Sequence, residues 1–392
     1  MQHRPTVGFP KPSLGTRCAA GLAILCAALT NVWPRGRDLR ASVLGAGECN
    51  EVPNERLRGI FVTVLTPLTE ELNIDQAALR AQVEYLLRSG VHGLLLLGSI
   101  GEGPYLTTGQ REAVLKTVAD VVGDQLPVVV GVTSLSTVQA VEHARQAARY
   151  GADALTVALP ICYQIPFPQL KEHVVAVAES VELPVLFYYY PEAYGGALSP
   201  RQVADILKHP RVVGVKESIL DIAHIERQIR ACADPSKIFW AGTTVAMPEV
   251  MELGGDGAAS VVGLFMPRTA VALYDAVRRG DRTEIERIRA RLFQALPLLK
   301  PDSPPSVIAH AGFLAALRGQ IPLTLGTVST HARLKLALQY RGIPIKPIVS
   351  PPLPPLTNAE RRLVRTVMER INALEPVVEP NGGSGPGKES QP

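Results

Sequence analysis

Between Gly59 and Gly263 the chain alternates between two kinds of segment, and this alternation constrains its fold more than any other feature. Eight short, continuously apolar runs occur, at Gly59–Leu68, His92–Gly98, Leu126–Val132, Ala154–Pro160, Leu183–Pro191, Val212–Ser218, Lys237–Thr243 and Ala258–Gly263. Between them lie segments of helical period, among them Ile74–Ser89, Thr108–Val122, Ser136–Tyr150, Phe167–Val181 and Ser199–Lys208. A strand that is apolar throughout is one covered on both faces, by helices outside and by packed side chains inside. Eight such strand–helix units in a chain of this size match the (β/α)₈ TIM barrel, for which about 250 residues is typical. A doubly wound open sheet needs no eightfold count, and no strand here runs into a G-x-G-x-x-G turn. The expected fold is therefore α/β, with the barrel over residues 59–300.

The flanks read differently. Residues 1–58 carry Arg4, Lys11 and Arg17, a small apolar run from Cys18 to Leu29, and then Pro34-Arg35-Gly36-Arg37. That order resembles a secretory signal, but no clean A-x-A site follows it, so the segment is read as a disordered extension or an upstream start. A C-terminal helical region is expected over residues 301–374, including a segment near Leu334–Tyr340. Six prolines between Pro344 and Pro355 mark an extended connector. Thr357 and Glu360 then have the form of a capping box opening an amphipathic helix with Leu363, Val364, Val367 and Ile371 on one face. Residues 375–392 read as a solvated tail.

Composition excludes several classes. A net charge of +4, from 40 basic and 36 acidic residues, is too balanced for a nucleic-acid footprint. Apolar residues at 46% against 19% charged exclude wholesale disorder. No apolar run reaches the roughly 18 residues of a membrane span. The 5 cysteines are odd in number and lack C-x-x-C spacing, which fits a reducing, cytoplasmic setting. The histidines show no metal-ligand spacing, so a metal-dependent aldolase is not expected.

In a barrel the chemistry belongs at the C-terminal ends of the strands. The sixth run reads Val212-Val213-Gly214-Val215-Lys216-Glu217-Ser218. Strict alternation turns Val212, Gly214 and Lys216 to the barrel axis, and Val213 and Val215 to the helices. Burial there strips water from the Lys216 ammonium and favours the neutral, nucleophilic amine that a Schiff base with a ketone requires. The alternative is a lysine paired with Glu217 or another carboxylate, and burial alone does not choose between them. The fifth run ends in Tyr188-Tyr189-Tyr190-Pro191, where alternation puts Tyr188 and Tyr190 on one face and leaves open which tyrosine moves protons. After the second run, Gly98-Ser99-Ile100-Gly101-Glu102-Gly103 is a small-residue turn whose N–H groups and serine hydroxyl could cradle a carboxylate.

Laid out in this order, the chain resembles the dihydrodipicolinate synthase / N-acetylneuraminate lyase family of pyruvate-dependent class I aldolases, from about Arg58 to Ile371. The family loop G-[ST]-x-G-E corresponds to Gly98–Glu102, its Y-x-x-P strand end to Tyr188–Pro191 and its G-x-K-[ED] strand to Gly214–Glu217. A later G-G-x-G-x-x-S motif corresponds to Gly254–Ser260. Tyr188 precedes Lys216 by 28 positions and Ser99 precedes it by 117, the separations expected of the family. The resemblance implies that Lys216 forms an imine with pyruvate or a 2-oxo acid and that Tyr188 relays protons with help from Ser99. It also implies that Ser99, Ile100 and Gly101 hold the carboxylate and that the backbone near Ala259 completes the pocket. No cofactor is implied, and relatives of this kind assemble as homodimers or homotetramers.

Three departures narrow the expectation. Ile100 stands where the synthase branch has a second hydroxyl. The position of its relay tyrosine from a neighbouring subunit falls on Cys162, with Tyr163 adjacent. Ala193 stands where that branch has an arginine gripping the second substrate's carboxylate, and losing such a bidentate anchor is not conservative. These changes point to an aldolase or dehydratase acting on a 2-oxo-3-deoxy sugar acid or a similar hydroxy-oxo acid. The competing expectations are 4-hydroxy-tetrahydrodipicolinate synthase itself and, from another class, a non-catalytic barrel that binds 2-oxo acids.

Overall fold

A computed structural model describes residues 55–160, 164–194, 196–301, 312–313, 315–317 and 330–377. The chain divides into Met1–Arg37 and Asp38–Pro392, and all described residues belong to the second unit. The readings made above for the N-terminal extension to Asn54, and for the tail from Val378, lie outside the described residues.

Eight parallel strands close into a barrel in sequence order: β1 (Gly59–Thr63), β2 (Gly93–Leu96), β3 (Val128–Gly131), β4 (Ala154–Ala158), β5 (Val185–Tyr189), β6 (Val212–Glu217), β7 (Ile238–Ala241) and β8 (Gly257–Ser260), with β8 pairing back to β1. The fold is the (β/α)₈ TIM barrel that the alternating pattern anticipates. The connecting helices include α1 (Gln76–Leu87), α2 (Thr108–Val122), α3 (Thr137–Arg149), α4 (Phe167–Glu179), α5 (Pro200–Leu207), α6 (Ile222–Cys232), α7 (Met247–Glu252) and α8 (Pro267–Arg279). Local chemistry sets their ends. Thr107 with Gln110 and Ser199 with Gln202 form complete capping boxes at α2 and α5. Asp75 and Asp221 cap α1 and α6 by accepting backbone N–H groups.

Two apolar layers follow from the alternation of side chains. The outer layer, between strands and helices, contains Ile60, Val62, Val130, Val157, Phe187, Tyr189 and Val215. The inner one contains Phe61, Leu95, Val129, Ala154, Leu186, Ile238, Trp240 and Ala259. Within it Phe61 stacks on Trp240 with ring centroids 4.3 Å apart, and Trp240 Nε1 donates to the Leu57 carbonyl at 2.7 Å. Phe61 fits because its neighbour in register, Gly93, has no side chain; a Cβ there would stand 2.1 Å from the ring. This layer fills the barrel as a floor, so the barrel is a cup with one mouth.

β6 departs from strict alternation. Its pairing with β5 runs Val185 to Val212 and then Leu186 to Gly214, so Val213 is an extra residue. Val212 consequently packs in the outer layer and Val213 against the inner one, the reverse of the alternation read from sequence. A bulge places two consecutive residues opposite one and shifts the phase of the strand. Beyond it the phase is as expected, with Val215 outward and Lys216 in register with Tyr188 and Trp240.

After α8 the chain forms α9 (Arg282–Leu292), α10 (Leu296–Leu299), α11 (His331–Gln339) and α12 (Asn358–Leu374). The capping box of Thr357 and Glu360 opens α12, which buries Val364, Val367, Met368 and Ile371. Arg333 joins α11 to its neighbours through the Leu298 carbonyl at 3.1 Å and Glu360 at 2.7 Å. Glu375 ties this appendage to the barrel by accepting the N–H groups of Arg268 and Thr269 at the start of α8, where a helix end favours a carboxylate. Among the described residues, no helix is long and apolar enough to cross a membrane.

The floor supplies a stability prediction. Trp240→Ala removes a fully buried indole and leaves a cavity, and is expected to cost about 3–5 kcal/mol. The shift of the urea unfolding midpoint measures it; a shift below about 1 kcal/mol would mean the floor is not packed as described.

Candidate functional site

The mouth of the cup is built from the ends of β2, β5 and β6. Lys216 is the fifth residue of β6 and 5% exposed; Tyr188 is the fourth residue of β5 and 6% exposed. The two are register partners, so both point inward, and Lys216 Nζ lies 3.6 Å from the centroid of the Tyr188 ring. Below them Trp240, the partner of Lys216 on β7, belongs to the floor. The lysine amine therefore stands at the C-terminal end of its strand with the apolar inner layer beside it.

Glu217 does not neutralise this lysine. Successive strand residues point to opposite sides, and among the described residues no carboxylate stands within ion-pair distance of Lys216. The Glu217 carboxyl is buried toward the helices, where Oε1 accepts the Ile219 N–H at 3.0 Å. Burial pushes its pKa up to about 8, against the opposing hydrogen bonds, so it is largely protonated at neutral pH. Lys237, the other lysine in an apolar run, sits at the opposite end of the barrel and donates to the carbonyls of His209 and Val212.

On the β2 side, Ser99, Ile100 and Gly101 form the turn after the strand. Among the described residues, the N–H groups of Ile100 and Gly101 donate to no protein acceptor, whereas the N–H of Glu102 is used on Ser99 and that of Gly103 on Gly98. Two adjacent N–H groups without a protein acceptor, beside a serine hydroxyl, have the form of an anion cradle. The Ile100 side chain packs against the outer apolar layer and offers no polar atom. Ala259 points inward and is part of the floor. Cys162 and Tyr163, the alternatives for the relay position, lie outside the described residues.

Sequence reasoning did not single out Tyr194. After β5 the chain turns, with the N–H groups of Ala193 and Tyr194 both donating to the Tyr190 carbonyl. This turn brings the Tyr194 ring to 5.8 Å from Tyr188 and 6.2 Å from Tyr190, and its hydroxyl interacts with the Ser99 side chain. Burial and the neighbouring tyrosines Tyr188, Tyr105 and Tyr190 hold its pKa well above the usual phenol range, so it stays protonated. Burial likewise pushes Tyr190 up to about 12. A continuous path of side chains thus crosses the mouth from Lys216 through Tyr188 and Tyr194 to Ser99. The only sequence signal for Tyr194 was its place in the segment where Ala193 replaces a cation.

Residues 56–320 match the model of the dihydrodipicolinate synthetase family. The chain is 30% identical over 285 residues to a 4-hydroxy-tetrahydrodipicolinate synthase of Methanospirillum hungatei, covering 71% of this chain and 98% of that protein. It is 30% identical over 253 residues to a probable 2-dehydro-3-deoxy-D-pentonate aldolase, YjhH, of Escherichia coli, covering 64% and 84%. Among solved structures it is similar to YagE of E. coli, a protein of the dihydrodipicolinic acid synthase family seen in complex with pyruvate. That match has a TM-score of 0.70 at 27% identity and covers 81% of this chain and 99% of YagE. A sialic acid aldolase of Ruminococcus gnavus, at 22% identity and TM-score 0.71, shares the fold.

The buried Glu217 carboxyl makes stability depend on pH in a stated direction. Between the ordinary carboxylate value of 4.5 and about 8, the unfolded chain has lost this proton while the folded chain keeps it. Folding stability therefore falls as pH rises through that window. Urea titrations at pH 5 and pH 8 should show a larger fall for the wild type than for Glu217→Gln; equal falls would mean that Glu217 does not hold its proton.

Proposed function

The chain belongs to the dihydrodipicolinate synthetase family, and within it we propose a Schiff-base-forming lyase that makes or breaks a carbon–carbon bond, or dehydrates, through a Lys216 imine to pyruvate or a 2-oxo acid. One observation carries this reading. The Lys216 amine is buried at the open end of a closed barrel, 3.6 Å over the Tyr188 ring, with no carboxylate paired to it among the described residues.

The chemistry can be written through this chain's own groups. Nζ attacks C2 of the 2-oxo acid, forming the N–C bond as the carbonyl π bond breaks. One proton passes from nitrogen to the former carbonyl oxygen and a further proton, drawn from solvent, reaches the same oxygen, which departs as water; the second nitrogen proton stays, so the imine that remains is protonated. Tyr188, whose ring lies against Nζ, would relay these protons, with Ser99 and Tyr194 as further hydroxyls nearby. The positive imine then takes up the electron pair when a C3–H or C3–C4 bond breaks, and returns it to C3 or to a leaving hydroxyl. The free N–H groups of Ile100 and Gly101 would hold the substrate carboxylate meanwhile.

For the second substrate we favour a 2-oxo-3-deoxy sugar acid or similar hydroxy-oxo acid. The wall beside Tyr188 is made of Tyr190, Ala193 and Tyr194 and has no arginine at position 193 to grip a second carboxylate. Similarity to a probable deoxypentonate aldolase supports the same choice. The likeness to a 4-hydroxy-tetrahydrodipicolinate synthase of Methanospirillum hungatei supports that activity as the second reading.

Borohydride reduction in the presence of pyruvate should attach the reduced adduct to Lys216, mapped by mass spectrometry. Lys216→Ala should abolish turnover with an unchanged circular dichroism spectrum. Tyr188→Phe should lower kcat by about a hundredfold or more while leaving the barrel folded. Absence of label on Lys216, when a working family member is labelled in parallel, defeats the imine reading. Turnover of aspartate semialdehyde with pyruvate, in preference to a panel of 2-oxo-3-deoxy acids, would select the synthase instead.

A further inference from the structure

The carbonyls of the Ser99–Gly103 turn are held from outside the mouth by three separate parts of the chain. Thr66 Oγ1 donates to the Gly101 carbonyl at 2.6 Å, and Arg111 Nη1 to that of Gly103 at 3.3 Å. The third support comes from α11, more than two hundred residues downstream. His331 Nε2 donates to the Ser99 carbonyl at 2.9 Å; a carbonyl only accepts, so Nε2 carries the proton. One helical turn later on the same face, Lys335 Nζ stands 2.5 Å from Glu102 Oε1, both side chains having no exposure. The other Glu102 oxygen accepts the Ser350 N–H at 2.7 Å.

This turn does not hold its shape unaided. Leu97 and Glu102, at its two ends, both adopt left-handed backbone with φ of 55° and 59°. Such conformations in residues with side chains persist only where the surroundings enforce them. At Gly103 a Cβ would stand 1.8 Å from the Leu97 carbonyl oxygen, so the chain is folded tightly back on itself there.

Peptide planarity connects these restraints to the ligand. The C=O of Ser99 and the N–H of Ile100 belong to one rigid plane and point in opposite directions. The Ser99 carbonyl also accepts the Glu102 N–H at 3.2 Å within the turn, and its bond to His331 adds an anchor from outside that directs the Ile100 N–H away from α11. That N–H and its neighbour on Gly101 are the two that no protein group uses among the described residues.

We propose that α11 is the back wall of the carboxylate cradle: His331 and Lys335 are positioning residues that set the Ser99–Gly101 peptide planes for the carboxylate of a 2-oxo acid. The inference rests on the reading of the turn as a carboxylate site and adds the C-terminal appendage to the functional site. Neither residue touches the substrate.

Calorimetric binding of pyruvate and of its uncharged methyl ester to the full-length protein separates positioning from general structure. His331→Leu should weaken pyruvate binding about tenfold, the effect of one lost hydrogen bond, and leave the ester within twofold. His331→Gln, whose amide N–H reaches a similar place, should restore binding of pyruvate. In steady-state turnover the Leu variant should show the loss in KM, with kcat within twofold. Lys335→Met strands a buried carboxylate and can unfold the turn, so it is paired with the Glu102→Gln/Lys335→Met double variant, expected to fold and to bind pyruvate more weakly than wild type. Equal loss for pyruvate and ester, or unchanged pyruvate binding in folded His331→Leu, overturns the proposal. Pyruvate binding that weakens selectively in the variant, in a protein that borohydride never labels at Lys216, would leave the cradle standing and defeat the imine reading instead.

Discussion

The stacked pair of Phe61 and Trp240 is the interaction on which the rest depends. A closed ring of eight strands has two ends, and only one can serve as a site if a small ligand is to be held away from bulk water. By filling the interior below Lys216, this pair turns the ring into a cup and puts a dry apolar surface under the amine. The floor also depends on Gly93, because the Phe61 ring occupies the space that any side chain there would need.

Above the floor, the mouth is organised by hydroxyls and backbone N–H groups instead of by charges. Lys216 faces a tyrosine ring, Glu217 is turned to the helices and kept largely protonated, and Tyr188, Tyr190 and Tyr194 line one wall. A neutral wall is compatible with the proposed reaction, in which the one essential positive charge would be created on the substrate when an imine forms. It also suits substrates bearing a single carboxylate near the reacting carbon and neutral hydroxyl groups beyond it. An arginine at position 193 would have favoured a second carboxylate through paired hydrogen bonds, and an alanine makes none.

The turn proposed as the carboxylate cradle is supported by elements distant in sequence. Thr66 follows β1, Arg111 lies on α2, and His331 and Lys335 lie on α11. The buried Lys335–Glu102 pair carries a desolvation cost and is weak evidence of stability by itself. Its effect here is on conformation, since it holds a left-handed residue at the end of the turn.

Much of this was legible without coordinates. Continuous apolar runs of strand length, repeated eight times, leave the barrel as the natural way to cover both faces of every strand. The capping box at Thr357 is a local hydrogen-bond pattern that was read from the sequence, and the helix begins where it stands. Lys216 stood out as a polar group near the end of an apolar run, where a barrel opens, but burial alone left its role open, and only the family resemblance chose Tyr188 from three adjacent tyrosines. Tertiary structure decided the rest. The extra residue at Val213 reversed the facing of Val212 and Val213, because a bulge depends on the pairing of two strands and not on the composition of one. Tyr194 reached Ser99 only through the turn after β5, and His331 and Lys335 reached the Ser99–Gly103 turn only because α11 packs beside it. Periodicity records which face of an element avoids water, so it determines elements and their burial. Contacts between residues hundreds of positions apart depend on how the closed barrel places those faces in space, and no local pattern encodes that placement.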